Sequence, residues 1–127
     1  MILVDSSVWI DHFHQTEAAL VAALGANLVL SHTFVIQELA LGSIAKRQLV
    51  LGLLGALPKA SVLSHDEWLA LCESHRLWSH GLSPIDVHLL GSTLLQPGLS
   101  LWTRDKRLRQ AALEVGATVF ADNPNCD

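Results

Sequence analysis

Four carboxylates interrupt segments that would otherwise read as unbroken core: Asp5 in MILVD, Glu38 in TFVIQELALG, Asp86 in SPIDVHLLGSTLL and Asp105 in LSLWTRDKRL. A carboxylate set among leucines and valines forfeits hydration, a loss of several kcal/mol unless a partner compensates. One such residue can be a helix cap. Four, spread along the whole chain, are explained together by one pocket of like charges. Like charges held together require a cation, and a cation held by oxygen atoms points to metal-assisted chemistry. The fold must therefore bring four remote segments to one place.

At 127 residues the chain has the size of a single domain, 1–127, with room for a genuine core. Half of its residues are hydrophobic and only 16% are charged, which excludes a disordered chain. That apolar surplus predicts a covered surface, against a second copy or another protein. No basic stretch followed by a long apolar run is visible at the start. The greasiest segment, LVLGLLGAL (49–57), is too short to span a bilayer, so no membrane association and a cytoplasmic location are expected. Cys72 and Cys126 lack the spacing of a zinc site or a disulfide framework and read as inert thiols. The net charge of −4 does not advertise nucleic-acid binding, but four of the eight Lys and Arg residues, Arg104, Lys106, Arg107 and Arg109, surround Asp105, either as a solvated helix face or, beside a suspected metal site, as a phosphate contact.

Short β-type runs alternate with longer helical ones. The pattern predicts strands at ILV (2–4), LVL (28–30), SVL (61–63), LSLWT (99–103) and ATVF (117–120). Helices are expected through SSVWIDHF, through TEAALVAALGA, at 33–42, at about 45–57, from Ser64 to about His80, from Pro84, and through DKRLRQAALEV. Ser64 with Glu67 forms a capping-box signature, Pro84 suits a first helical position, and Gly81 is the expected helix stop. Strands separated by helices imply a parallel sheet covered on both faces, an α/β sandwich. In such folds ligands sit beyond the carboxyl ends of the strands, where Asp5 and Asp105 fall.

Each acid has a structural alternative. Asp5 and Asp105 could be N-caps, although Thr103 could cap the last helix equally well and leave Asp105 for another task. Asp86 sits in a first helical turn, where the macrodipole favours a carboxylate, yet Leu89 and Leu90 place it on a core-like face. Glu38 has Phe34, Val35, Leu41 and Gly42 around it and hardly any solvent face in its helix. His12 and His14 read as solvated helix-end residues, and His88 as an interface residue rather than a ligand. No H-x-x-x-H or Cys/His set suggests zinc, Ser6 and Ser7 lack a nucleophile elbow, and no phosphate-cradling glycine loop is present.

Taken together, MILVDSSVWIDHF, FVIQELALG, IDVHLLGSTLL and LWTRDKRL resemble the PIN-domain family, and closely its VapC-type toxins from bacterial toxin–antitoxin pairs. The resemblance spans the whole chain. It implies a PIN-like three-layer sandwich, a mainly parallel central sheet with helices on both faces. It also implies an endoribonuclease whose acidic quartet, Asp5, Glu38, Asp86 and Asp105, binds Mg²⁺ or Mn²⁺ and hydrolyses phosphodiester bonds. Ser7 and Thr103 would support the site with hydroxyls, and Arg104, Lys106, Arg107 and Arg109 would hold the RNA backbone. The implied partners are an RNA substrate, a VapB-like antitoxin and a second copy in a homodimer. Lys106-Arg107 stand where some relatives carry a further acid. Two other enzyme classes that open on a strand ending in Asp, haloacid-dehalogenase-type phosphatases and receiver domains, each need a second acid that is missing here. The non-enzyme alternative is a catalytically inactive PIN-like interaction module.

Overall fold

The computed structural model describes residues 1–121. β1 (Ile2–Val4) leads into α1 (Ser6–His14) and α2 (Ala18–Gly25), followed by β2 (Val29–Leu30), α3 (Thr33–Ala40) and α4 (Arg47–Ala56). Next come α5 (His65–His75), α6 (Pro84–Leu95), β3 (Ser100–Trp102), α7 (Lys106–Val115) and β4 (Thr118–Val119). All pairings are parallel, in the order β2-β1-β3-β4. Leu3 lies opposite Leu30 on one side and Leu101 on the other. Successive strand residues point to opposite faces, and Leu3, Val4, Leu101 and Trp102 are all fully buried. Both faces of the sheet are therefore covered, as a parallel sheet requires.

The chain leaves β1 for β2 on one side of the sheet, then returns to β3 on the other side of β1. The strand order thus reverses between β1 and β3, and the crevice beyond their carboxyl ends is where such sheets place ligands. Asp5 and Thr103 are the first residues past those two ends, tied by a hydrogen bond from the Asp5 amide to the Trp102 carbonyl at 2.9 Å.

Two expected features differ. SVL (61–63) forms no strand. Parallel pairing beyond β2 is limited to a bridge between Ser31 and Lys59, next to Pro58, which has no N–H to offer a ladder. Leu63 instead turns inward against α6, where a Cβ on Gly91 would lie 2.1 Å from Leu63 Cδ1, so that crossing needs a glycine. The helix expected to run from Ser64 to about His80 ends at His75. Arg76 adopts the left-handed conformation (φ 52), and the next residue, Leu77, is buried with its amide bonded to the Cys72 carbonyl at 3.1 Å. Seating Leu77 in the core ends the helix before Gly81 is reached. The start of that helix is as expected, with the Ser64–Glu67 capping box in place.

His32 fastens the helix that carries Glu38. Its Nδ1 accepts from the Phe34 amide at 3.1 Å and so caps α3, while Nε2 meets Ser92 Oγ of α6 at 3.1 Å. Because Ser92 donates its own proton to the Ser61 carbonyl at 2.6 Å, Nε2 must be the protonated nitrogen, and the ring is neutral. Burial, together with the nearby His88, lowers its pKa to about 4. His88 itself is half-buried, with its ring 4.5 Å from Phe34 and 6.2 Å from Trp68. A histidine depressed in the folded state gives stability that is present above its unfolded pKa, near 6.5, and is lost as pH falls towards 4. Urea unfolding at a series of pH values should show a loss on the order of 3 kcal/mol across that window, and His32→Gln should flatten the profile.

Candidate functional site

Asp5 is only 4% exposed, yet both its carboxylate oxygens are supplied with donors. Oδ1 accepts from the Ser6 amide at 2.8 Å and, more weakly, from Ser6 Oγ at 3.4 Å. Oδ2 accepts from Ser7 Oγ and Thr103 Oγ1, each at 2.7 Å. The Ser-Ser pair works because a helix starts at Ser6: Asp5 is its N-cap, which turns both following hydroxyls towards its carboxylate. Ser7 Oγ also accepts from the Arg104 amide at 3.0 Å, and Thr103 Oγ1 from the Asp105 amide at 3.1 Å. A short hydroxyl network therefore binds the end of β1 to the loop after β3.

Ser6 extends the network to the second acid, donating to Glu38 Oε1 at 2.5 Å. Sequence reasoning missed this role for Ser6. The one local signal was a second hydroxyl beside Asp5. Glu38 is half-buried, and its helix is more open than its composition suggests: Leu41 is 91% exposed and Gly42 is exposed too. Glu38 also lines a cavity of about 420 Å³ with Ile10, Phe13, His14, Leu39 and the 42–45 loop.

Asp105 does cap α7, accepting from the amides of Arg107 at 2.9 Å and Leu108 at 3.2 Å, so the expectation that Thr103 might take that duty is corrected. Thr103 is committed to Asp5 instead. Asp86 is the third residue of α6 in a reciprocal capping box, its Oδ2 accepting from the Ser83 amide at 2.9 Å. Burial pushes the Asp86 carboxyl up, the Ser83 amide opposes that, and the negative charges of Asp5 and Asp105 push it further up. Three of the four acids thus feel one another across the β1–β3 crevice, and the fourth joins them through Ser6.

The basic run divides. Arg104 places Nη1 2.8 Å from both Asp11 and Glu17, clamping α1 to the start of α2, and Arg109 Nη2 donates to the Thr103 carbonyl at 3.0 Å. Lys106 and Arg107 are exposed at the start of α7. Asp11 and Glu17 as partners of Arg104 were not foreseen, since a long-range ion pair leaves no pattern in one sequence. His12, expected to be solvated, is half-buried and accepts from the Glu17 amide at 3.0 Å, whereas His14 is exposed. Cys72 is a free thiol whose pKa is raised by burial and by Glu73, which fits the inert role expected of it. Cys126 lies outside the described residues.

Among the described residues no three His, Cys, Asp or Glu side chains are grouped closely enough to enclose a metal ion. The donor set is nonetheless all carboxylate and hydroxyl. Its uncompensated charge falls on Asp86. That arrangement fits a hard divalent ion, which commonly keeps several waters and takes only one or two carboxylates directly.

A switch-point crevice rimmed by acids from four separate segments places the chain with the PIN domains: that family's model matches residues 2–114, and the chain belongs to it. It is 50% identical over 119 residues to Ribonuclease VapC32 of Mycobacterium tuberculosis, in strain CDC 1551 / Oshkosh and in strain ATCC 25618 / H37Rv alike. Each match covers 94% of this chain and 96% of the relative.

Asp86→Asn keeps the capping acceptor and removes the repelled charge. In a melting experiment without metal the variant should unfold at a higher temperature than the parent chain. Added Mg²⁺ should stabilise the parent more than the variant. A lower metal-free melting temperature for Asp86→Asn would contradict the mutual repulsion of these acids.

Proposed function

We propose that the chain, as one PIN-like domain, is a metal-dependent endoribonuclease, the toxin member of a toxin–antitoxin pair, acting through Asp5, Glu38, Asp86 and Asp105. The observation that carries this reading is geometric: Asp5 and Asp105 lie past the ends of β1 and β3 at the strand switch point, joined through Thr103, with Glu38 tied to Asp5 through Ser6. The name of the Mycobacterium tuberculosis relatives supports the substrate class.

Asp5 and Asp105 would hold Mg²⁺ or Mn²⁺ directly, with Glu38 and Asp86 engaged through water. The ion, when bound, lowers the pKa of a water and neutralises charge developing on the phosphate. The Ser6 amide and the hydroxyls of Ser7 and Thr103 hold Asp5 in its orientation ahead of reaction. Asp86 has Oδ2 held by the Ser83 amide, which leaves Oδ1 to take the proton of the attacking water. Water oxygen bonds to phosphorus as the bond to the leaving ribose oxygen breaks. Of the four basic residues after β3, Lys106 and Arg107 would meet the RNA backbone, and Arg104 and Arg109 would brace the loop.

Purified protein should cut single-stranded RNA with added Mg²⁺ or Mn²⁺ and stop on addition of EDTA. Asp5→Asn and Asp105→Asn should each lower the rate by about 100-fold or more. Asparagine can still cap α7, so undiminished cleavage by Asp105→Asn would overturn the assigned site rather than report misfolding.

The partners follow from the apolar surface. Trp9, Leu24, Val50, Leu53 and Leu57 line a groove of about 360 Å³ between α1, α2 and α4, and Leu49 and Leu53 remain 59% and 62% exposed. An antitoxin segment with an apolar helix face fits this groove, and a second copy covers further apolar surface in a homodimer. Leu53→Glu should weaken antitoxin capture at least tenfold in a titration while the chain still sediments as a dimer. Sedimentation as a monomer at high concentration would remove the homodimer from this reading. No helix among the described residues is long and apolar enough to cross a membrane.

A further inference from the structure

Beside the acidic crevice runs a second groove, of about 240 Å³, lined by His80, Lys106, Arg107, Gln110, Ala111 and Glu114. It lies along one face of α7, whose N-cap is Asp105, so it begins where the acidic site ends. Gln110 stands five positions past Asp105, about 7.5 Å along the helix axis.

Arg107 packs against the turn before α6. Gly81 sits at φ +74, and a Cβ there would come within 2.8 Å of Arg107 Nη1 and 2.9 Å of its Cδ, so the bare glycine leaves room for the arginine to lie along the groove that His80 also lines. The two other arginines of the run are occupied elsewhere, with Asp11, Glu17 and the Thr103 carbonyl.

The lining settles the ligand chemistry. Lys106 and Arg107 offer positive charge and His80 a further ring nitrogen for hydrogen bonding, while no Phe, Trp or Tyr ring lines the groove to stack on a base. The single acid, Glu114, closes the far end and accepts from Gln110 Nε2 at 3.1 Å. The positive end is thus the one nearer Asp105.

We propose that this groove is a subsite for a backbone phosphate of the RNA strand, adjacent to the phosphate cleaved at the acidic crevice. The subsite rests on the ribonuclease reading, and it assigns to His80 and Gln110, outside the basic run, a part in seating the strand. It sets the path of the substrate along α7 and over the 79–81 turn.

Binding is the test, read apart from cleavage. Fluorescence anisotropy of a labelled single-stranded RNA, with protein carrying Asp5→Asn, measures affinity over a series of salt concentrations. Adding Arg107→Gln should weaken binding severalfold and reduce the slope of log affinity against log salt by about 1. Gln110→Lys, at an exposed position that folding does not depend on, should tighten binding severalfold, and Gln110→Glu should weaken it. Unchanged affinity and slope in both Arg107→Gln and Gln110→Lys would overturn the subsite, as would RNA that fails to bind at all. Absence of metal-dependent cleavage by the unsubstituted protein would instead overturn the ribonuclease reading, even with these binding changes in place.

Discussion

The structure turns on the Asp5 carboxylate, a charge placed at the end of a strand that is buried on both faces. Left alone it would cost several kcal/mol in lost hydration. Hydrogen bonds to a charged acceptor contribute about 1.5–3 kcal/mol each, and Ser6, Ser7 and Thr103 supply enough of them to offset that loss. The same donors do a second job. Ser6 reaches Glu38 on α3, and Thr103 accepts the amide of Asp105. Satisfying one buried charge thereby fixes the relative positions of β1, α3 and the β3–α7 loop.

Capping and chemistry had looked like competing explanations for these acids, yet capping leaves them at the crevice and does not exclude the proposed chemistry. Asp5 caps α1, Asp105 caps α7, and Asp86 occupies the first turn of α6 in a capping box. Three helix N-termini therefore point at one crevice. Their partial positive ends partly offset the mutual repulsion of the carboxylates, and they also favour an approaching anion such as a phosphate. A cluster of acids proposed to admit a polyanion needs some such balance, and Lys106 and Arg107 would add to it from the rim.

How much of this was legible follows from the range over which each feature is encoded. Apolar runs ending in Asp or Thr, the Ser64–Glu67 box and Pro84 at the start of α6 are local signals, and the strands at 2–4 and 100–102 and the capped helices appear where they point. SVL at 61–63 misled because its β-branched, apolar composition suits a strand. Pro58 removes a ladder donor just before it, and Leu63 is taken by the crossing at Gly91. Arg76 misled because any residue can end a helix in the left-handed conformation when the next one, here Leu77, gains by burial. At Glu38, composition overstated burial, since Leu41 projects into solvent. The candidate site was legible as four anomalous acids, whereas the hydroxyls and ion pairs around them are long-range, periodic in nothing, and visible only once the chain is folded.

The sheet order carries a consequence for how the protein comes into being. β1 precedes the other strands of the sheet in the chain, yet it lies in the middle, and its neighbour at the acidic crevice is β3, so the Asp5–Thr103 contact joins residues 98 positions apart. A growing polypeptide that has emerged only through α5 holds Asp5 and Glu38 but neither Asp86, nor Thr103, nor the cap of α7. Whatever the crevice does is therefore withheld from the nascent chain until nearly its last turn of helix has left the ribosome.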